Sequence, residues 1–176
     1  MNKSASLEEQ LANSRVREKD LQVRVEDLED FIENASIPLH WVNGSGIITW
    51  ANQVELDLLG YGKEEYIGKH ISNFHADKNV CEDILTRLIR KETLYNYPAM
   101  LVAKNKKYIP VLINSNVRWD GDKFLHTRCF TRDISDLKKI ENDKVSLINE
   151  LQEQNSALKA ELRSLKNELT ASRRNA

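Results

Sequence analysis

The sequence predicts an α+β fold in which an antiparallel sheet and several short helices lie between two long terminal helices. All glycines and prolines fall between Pro38 and Gly121, so both ends of the chain lack the residues that interrupt helices. In the middle block, two short apolar runs precede a cluster of helical segments, and three longer apolar runs follow it. Strands separated from helices in this way are typical of an antiparallel sheet, whereas a nucleotide-binding parallel sheet needs regular alternation.

Composition and charge exclude several classes of function. The 176 residues include 26 basic and 27 acidic side chains, for a net charge of −1, so bulk charge does not indicate a nucleic-acid partner. No run approaches the ~18 apolar residues that a membrane span needs, and the N-terminus leads into charged sequence and not into a signal peptide. We therefore expect a cytoplasmic protein that binds neither nucleic acid nor membrane.

Residues 1–34 are predicted to form an N-terminal coiled-coil helix. Apolar residues recur every seven positions, with interruptions at Ser14 and Glu18, and this pattern is typical of a coiled coil. The alternative is one amphipathic helix packed on its own domain. The predicted dimerisation positions in this segment are Leu21, Val25, Leu28 and Ile32.

Residues 35–135 are predicted to form the globular domain. It begins with two strands, about residues 37–42 and 47–50, joined by a turn over residues 43–46 that contains Asn and Gly. A helix over residues 52–59 ends at Gly60, which is a frequent helix terminator.

The second half of this domain is predicted to return to strands. Residues 63–76 have the spacing of short helical turns, and Asp77 or Asn79 is suited to cap a helix that reaches Arg90. Three longer strands follow at about residues 95–103, 108–119 and 123–132, the last two joined by a hairpin turn at Asp120-Gly121.

Residues 136–176 are predicted to form a C-terminal parallel dimeric coiled coil. One set of heptad positions is Ile148, Asn155, Leu162 and Leu169, and the set three residues later is Leu151, Leu158 and Leu165. Branched Ile and a single Asn at the first position with Leu at the second favour two parallel strands. N-terminal to Leu151, the apolar positions follow a different heptad register. The two registers join through a four-residue step from Leu151 to Asn155, and such a step locally unwinds a coiled coil.

Three stretches of the middle block carry a resemblance to a known family. They are Ile48–Gln53 (ITWANQ), Leu58–Lys69 (LLGYGKEEYIGK) and Thr131–Ser135 (TRDIS). In this order and spacing, they make residues 28–140 resemble the PAS domain family, especially the PAS domains of bacterial sensor histidine kinases. The resemblance implies a five-stranded antiparallel sheet in the order 2-1-5-4-3, with short helices over one face.

The same resemblance implies a function. A PAS domain of this kind is a non-catalytic sensory and dimerisation module, and its signal leaves through the helix that follows its last strand. Asp133 and Ser135 occupy that junction here. The implied partners are a second copy of the chain, a protein effector or kinase, and a small-molecule ligand.

Cofactor binding is tested against the residues that each cofactor requires. Photoreactive flavin domains of the family need a reactive cysteine, which residues 69–75 lack, and haem-binding members commonly use a histidine on the long helix, which residues 77–90 lack. We therefore expect neither haem nor flavin, and the sequence names no other cofactor. His70 and His75 are expected at the surface or as caps of a carbonyl, while Cys81 is expected to be a small buried side chain.

Alternation along the last strand separates two faces. His126 and Arg128 share one face, and Asn114 and Asn116 share a face of the neighbouring strand. If these side chains point inward they form a carboxylate site; we expect them to point outward. The candidate ligand-binding residues are Trp50, Asn52, His75, Asn114, Asn116, His126 and Arg128.

Catalysis and metal binding find no support in the sequence. It contains no glycine-rich phosphate loop and no ligand spacing for a metal, and Cys81 and Cys129 are too far apart in sequence for a zinc motif. No phosphoacceptor histidine follows His126. Two alternatives to the sensory module remain: a haem- or flavin-dependent redox or gas sensor, and a ligand-free scaffold for protein interaction.

Overall fold

The structure is a computed structural model that describes the backbone of residues 2–174 and the side chains of residue 7 and residues 9–167. The chain forms two compact units, one that ends at Asp133 and one that begins at Ile134. In chain order, the elements of the first unit are α1 (Asn2–Glu33), β1 (Leu39–Val42), β2 (Ile48–Ala51), α2 (Gln53–Leu59), α3 (Lys63–Tyr66), a 3-10 turn (Ile71–Phe74), α4 (Lys78–Ile89), β3 (Leu94–Val102), β4 (Tyr108–Asp120) and β5 (Lys123–Asp133). The second unit contains α5 (Ser135–Arg174).

The sheet has five antiparallel strands in the order β2-β1-β5-β4-β3, which confirms the predicted fold. In the centre of the sheet, His40 of β1 lies opposite Cys129 of β5. Cys129 in turn lies opposite Ser115 of β4. This register aligns three polar side chains across three adjacent strands.

Gly60 and Asp77 end and begin helices as the sequence predicts, and the structure adds a cap at Asn52. Asn52 caps α2, and its side-chain oxygen accepts a hydrogen bond from the Glu55 amide at 3.1 Å. Gly60 ends α2 with a φ of 73°, a left-handed conformation that glycine adopts without strain. Asp77 caps α4 by accepting from the Asn79 amide at 2.8 Å.

The β1–β2 hairpin depends on one further glycine. Gly46 has a φ of 77°, and a Cβ at this position would collide with the ring of His70. His70 itself accepts a hydrogen bond from the Ser72 amide and so caps the 3-10 turn. The close approach holds the hairpin turn against the short helices.

The core lies between one face of the sheet and the short helices. In β5, Thr127, Cys129 and Thr131 are buried, whereas Arg128 and Phe130 are exposed on the opposite face. Arg128 therefore points outward, as expected.

The structure corrects the expectation that His75 lies at the surface. Its side chain is 7% exposed. The backbone of His75 forms a bridge with Leu101, and the next amide, Ala76, donates to the Met100 carbonyl at 2.9 Å. These bonds hold the segment before α4 against β3, which brings the imidazole into the core. His70 is partly buried.

The terminal helices carry rows of exposed apolar side chains. Eight of the residues predicted for dimerisation have side chains that are 42–64% exposed: Leu21, Val25, Leu28, Ile148, Leu151, Leu158, Leu162 and Leu165. Ile32 is partly buried, Asn155 is exposed, and the side chain of Leu169 lies outside the described residues. Among the described helices, none has the length and apolar character needed to cross a bilayer.

Candidate functional site

A buried pair of charged side chains lies at the centre of the core. The Nδ1 of His40 is 2.9 Å from Oε1 of Glu55, and the side chains are 6% and 0% exposed. The Tyr66 hydroxyl donates to the same carboxylate oxygen at 2.9 Å. Because an unpaired buried charge is costly, this geometry makes each group dependent on the other.

Local sequence explains why both side chains point inward. His40 is two residues from Val42 on β1, so both face the core. Glu55 is four residues before Leu59 on α2, so it lies on the buried face of that helix. Each polar side chain therefore occupies a position that periodicity assigns to an apolar residue.

The electrostatics of the pair favour the charged forms of both groups. Burial alone would lower the pKa of His40, but the neighbouring Cys129 and Glu55 outweigh it through charge and hydrogen bonds and raise the pKa well above its usual value. Burial alone would raise the pKa of Glu55, but the charge of His40 and hydrogen bonds from His40 and Tyr66 hold it below its usual range. At neutral pH the cluster is therefore an imidazolium–carboxylate pair.

A small cavity adjoins this pair on the side of β4 and α4. Its volume is about 20 Å³, and its polar lining consists of His40, His75, Cys81, Ser115, Thr127 and Cys129. This is close to the space for a single water molecule. It is far below the roughly 300 Å³ at which pockets for drug-sized ligands begin. This cavity therefore has no room for a porphyrin or a flavin ring.

Two polar atoms at the cavity lack partners. Within the part of the chain whose side chains are described, neither Nδ1 of His75 nor Oγ of Ser115 has a hydrogen-bond partner. Burial, with the nearby charge of His40, lowers the pKa of His75 to about 4, so this imidazole is neutral at pH 7. A small neutral hydrogen-bonding molecule is the occupant that would satisfy both atoms.

The opposite face of the sheet carries a larger, open groove. Its volume is about 420 Å³, and it is lined mainly by apolar side chains together with Arg118, His126 and Arg128. The Trp41 ring stacks on His126 with centroids 4.3 Å apart. Trp50 lies against the other side of the groove, 4.9 Å from the Trp41 centroid.

Comparison with known proteins identifies the fold family. A family profile described as "PAS domain" matches residues 33–136, which is more than half of the chain. The chain belongs to the PAS domain family. A comparison with curated proteins found no match.

Solved structures with the PAS fold are similar to this domain. The PAS domain of an HTR-like protein from Haloarcula marismortui has a TM-score of 0.60 and 21% identity, over 68% of this chain and 99% of that one. A domain of a sensory box sensor histidine kinase/response regulator from Geobacter sulfurreducens has a TM-score of 0.56 and 16% identity, over 64% and 96%. The PAS domain of a Desulfitobacterium hafniense protein has a TM-score of 0.51 and 24% identity, over 59% and 98%.

The residues predicted to bind ligand do not form one site in the PAS domain. His75 lies at the inner cavity. Trp50, His126 and Arg128 lie at the outer groove. On the strand next to β5, Asn116 accepts a hydrogen bond from Arg128 at 2.8 Å, and Asn114 accepts one from the Asn96 amide at 2.9 Å. The predicted set is therefore divided between the two faces of the sheet.

Asn52, one of the candidate ligand-binding residues, hydrogen-bonds the backbone of several segments of the PAS domain. It is fully buried. Its oxygen accepts from the amides of Leu39 and Glu55, and its nitrogen donates to the carbonyls of Ile32, Ala35 and Ile37. One side chain thus joins the end of α1, the start of β1 and the start of α2.

The polar cluster of the PAS core is not singled out by sequence patterns. Its principal members are His40, Glu55, Tyr66, Cys129 and Thr131. The available signal is that His40 and Glu55 interrupt apolar periodicity, since charged residues are rarely fully buried unless they are paired. Among the described residues, no group of three or more His, Cys, Asp or Glu side chains has the arrangement of a metal site.

Proposed function

We propose that this chain is a non-catalytic sensory and dimerisation module of bacterial signal transduction. A change in the PAS core is passed along β5 to the helix α5, and from there to a protein effector or kinase. The observation that carries the proposal is the position of β5. Its inward side chains Cys129 and Thr131 belong to the buried polar cluster, and the strand ends at Asp133, two residues before α5 begins.

Dimerisation is proposed to occur through the terminal helices. Leu151, Leu158 and Leu165 are 51%, 63% and 55% exposed on the single chain and recur every seven residues. Burying such a row against a second copy removes apolar surface from water, at roughly 25 cal/mol per Å². Asn155 at the alternate position favours a parallel, in-register pair because its amide then meets its own copy.

The sensory part of the proposal is tested by perturbing the core and observing α5. Thr131→Val removes a fully buried hydroxyl on the inner face of β5 while conserving the shape of the side chain. We expect amide hydrogen exchange in the first turns of α5, measured by mass spectrometry on the full chain, to change severalfold. The matched control is Thr49→Val on β2, whose hydroxyl is exposed, and it should leave α5 unchanged. Identical exchange in both variants would contradict transmission through β5.

The dimer register is tested at Asn155. Asn155→Leu should raise the stability of the dimer and reduce its preference for two strands, because the buried amide specifies oligomer state at a cost in stability. Sedimentation equilibrium and thermal unfolding measure the two effects. Glu153→Leu, outside the predicted seam, serves as the control and should alter neither. A wild-type chain that remains monomeric at micromolar concentration would refute the dimer.

The closed interior favours a second candidate function, a ligand-free scaffold that acts only as a dimer spacer. It predicts the same oligomer but no coupling between core and helix. The hydrogen-exchange comparison of the two threonine variants therefore distinguishes the two functions.

A further inference from the structure

The outer groove has the size and the lining of a site for a small apolar molecule. Its volume of about 420 Å³ lies within the roughly 300–1,000 Å³ that is typical of ligand pockets. Aromatic rings form much of its wall. Trp41 and Trp50 lie 4.9 Å apart, centroid to centroid, and Phe31 and Phe130 are 71% and 43% exposed. The described part of the chain therefore leaves apolar surface at this groove in contact with water.

Two arginines are neighbours on the strand side of the groove. Arg118 of β4 and Arg128 of β5 are both exposed, and both line it. Arg118 lies opposite His126 in the sheet, and Arg128 is two residues further along β5. Such diagonal neighbours share one face of a sheet, and their side chains start about 7 Å apart. A single anionic group can therefore reach both guanidinium groups, whose planar forks match a carboxylate.

The charges of these two arginines are available to a ligand. Among the residues whose side chains the structure describes, neither arginine forms an ion pair with a carboxylate. Arg128 donates from Nε to Asn116 at 2.8 Å and from one terminal nitrogen to the Val117 carbonyl at 3.5 Å. These bonds hold the guanidinium plane in one direction and leave further N–H groups that can donate to an anion.

The other side of the tryptophan pair is acidic. Trp41 and Trp50 also line an adjoining space on the side of α1, together with Glu29, Asp30 and Glu33. An anion is therefore attracted to the strand side of the tryptophans and repelled from the helix side. A polyanion that reaches both sides meets repulsion as well as attraction. A molecule with one carboxylate and an apolar body is instead complementary to the whole surface.

We propose that the outer groove is a binding site for apolar monocarboxylates. The N–H groups of Arg118 and Arg128 donate to the carboxylate oxygens, and the apolar body lies on Trp41 and Trp50 with its far end toward Phe31. Binding removes the body and the rings from water, which is the main source of affinity for an apolar molecule. The site goes beyond the proposed function, because it lies on the face of the sheet opposite the inner cavity and needs no change there.

The charge requirement is tested by calorimetric titration of the full chain with sodium decanoate. Decanoate should bind saturably with a Kd below ~1 mM, and 1-decanol, which has the same chain length without the charge, should bind at least ~10-fold more weakly. This comparison uses the wild-type chain and needs no variant to fold. Arg118→Gln combined with Arg128→Gln should lower the decanoate affinity at least ~10-fold. Arg132→Gln, exposed on β5 outside the groove lining, is the matched control and should leave the affinity unchanged. The proposal is overturned by a lack of saturable binding, by equal affinities for acid and alcohol, or by an equal loss in the control.

Tryptophan emission tests where the ligand lies. Trp41 and Trp50 line the groove, whereas Trp119 packs against Phe124 with centroids 5.2 Å apart and lies outside the groove lining. Decanoate should shift the emission of the wild-type chain. Trp50→Phe should reduce that shift, and Trp119→Phe should retain it. A shift that is lost in Trp119→Phe and kept in Trp50→Phe would place the ligand elsewhere and refute the groove.

A second copy of the chain is the competing occupant of the groove, because the acidic end of its α1 would also be attracted to the arginines. Sedimentation equilibrium with and without saturating decanoate separates the two occupants. If the groove is open to a small molecule, decanoate should leave the oligomeric state unchanged, and its affinity should not depend on protein concentration. Dissociation of a dimer by decanoate would mean that a second copy fills the groove. That result would overturn this inference and leave the proposed dimer standing.

Discussion

The two faces of the PAS sheet differ in which side chains they enclose and which they leave accessible. The inner face buries a charged His40–Glu55 pair and leaves a cavity of only about 20 Å³. The outer face places aromatic and cationic side chains around an open groove of about 420 Å³. Apolar residues are thus left accessible on one face while a charged pair is enclosed on the other.

This difference indicates how each face contributes to the domain. On the inner face, the buried His40–Glu55 pair is held by specific hydrogen bonds, so that small changes in protonation or volume have large energetic effects. On the outer face, Arg128 and His126 are bonded to neighbours but remain accessible, so that single substitutions have small effects on folding. Four predictions test this contrast, from the largest expected effect to the smallest.

Removing one member of the buried pair should have the largest effect. Glu55→Ala leaves the His40 imidazolium and the Tyr66 hydroxyl without their partner, and we expect the free energy of unfolding to fall by about 3–5 kcal/mol. Urea denaturation followed by circular dichroism measures this change. The control is Glu65→Ala, which removes an exposed carboxylate 2.7 Å from Lys104 and should have little effect. Similar losses of unfolding free energy at both positions would mean that the buried His40–Glu55 pair contributes no more to stability than the exposed Glu65–Lys104 pair.

Asn52 is the next most sensitive position, because it joins the end of α1 to the starts of β1 and α2. Asn52→Ala leaves buried amides and carbonyls without partners and should cost about 2–4 kcal/mol of unfolding free energy. The control is Asn105→Ala, whose side chain accepts one bond from the exposed Lys107 amide. Thermal or chemical unfolding of both variants makes the comparison. A loss of the same size at Asn105 would argue against the role of Asn52 as a junction.

The buried His75 should make the inner face sensitive to acid. Its folded pKa of about 4 lies below the value near 6.5 expected in the unfolded chain, so the unfolded state binds more protons between these values. The free energy of unfolding should therefore fall by about 2 kcal/mol as the pH drops from 7 to 5. His75→Gln should remove this dependence. His40 has the opposite pH dependence. Because its pKa is raised in the folded state, its contribution to the free energy of unfolding is lost as the pH rises through that folded pKa. An unchanged pH profile in His75→Gln would contradict the assignment.

The outer face should be the most tolerant. Phe31 is 71% exposed at the edge of the groove, and Phe31→Ala should change the unfolding free energy by no more than about 0.5 kcal/mol. Phe74, 4% exposed among the short helices, provides the contrast, since Phe74→Ala should cost about 3–5 kcal/mol. Measurements at low protein concentration keep dimerisation from contributing. A large effect at Phe31 under those conditions would mean that the outer face is covered within the single chain.

Much of the fold is predictable because its signals are local. Gly60 and Asp77 end and begin helices through bonds to residues two to four positions away, so their roles are visible in a short window of sequence. The outward direction of Arg128 follows from alternation with Cys129 and Thr131, whose side chains are smaller and less polar than arginine. These features need no knowledge of distant parts of the chain.

The candidate site is less predictable because its contacts are distant in sequence. His75 was expected at the surface, since a histidine before a helix has no local reason to be buried; the bridge to Leu101 decides its position. Asn114 and Asn116 point away from the cavity that His75 lines, so the candidate ligand-binding residues lie on two faces of the sheet, and their role in binding stays a prediction. The predicted domain boundaries at residues 34 and 135 and the coiled-coil dimer stay predictions.

By itself, the sequence determined the order of strands and helices, the turns, the helix ends at Gly60 and Asp77, the buried face of β5 and the heptad spacing of the ends, because each depends on residues close together in the chain. Only the tertiary structure decided that His40 meets both Glu55 and Cys129, and that the space between them and His75 closes to the size of one small molecule. Those contacts depend on the register of β1 against β5 and on the packing of α2 over the sheet. Local periodicity states that a side chain points inward, but it does not state which other side chain it will meet.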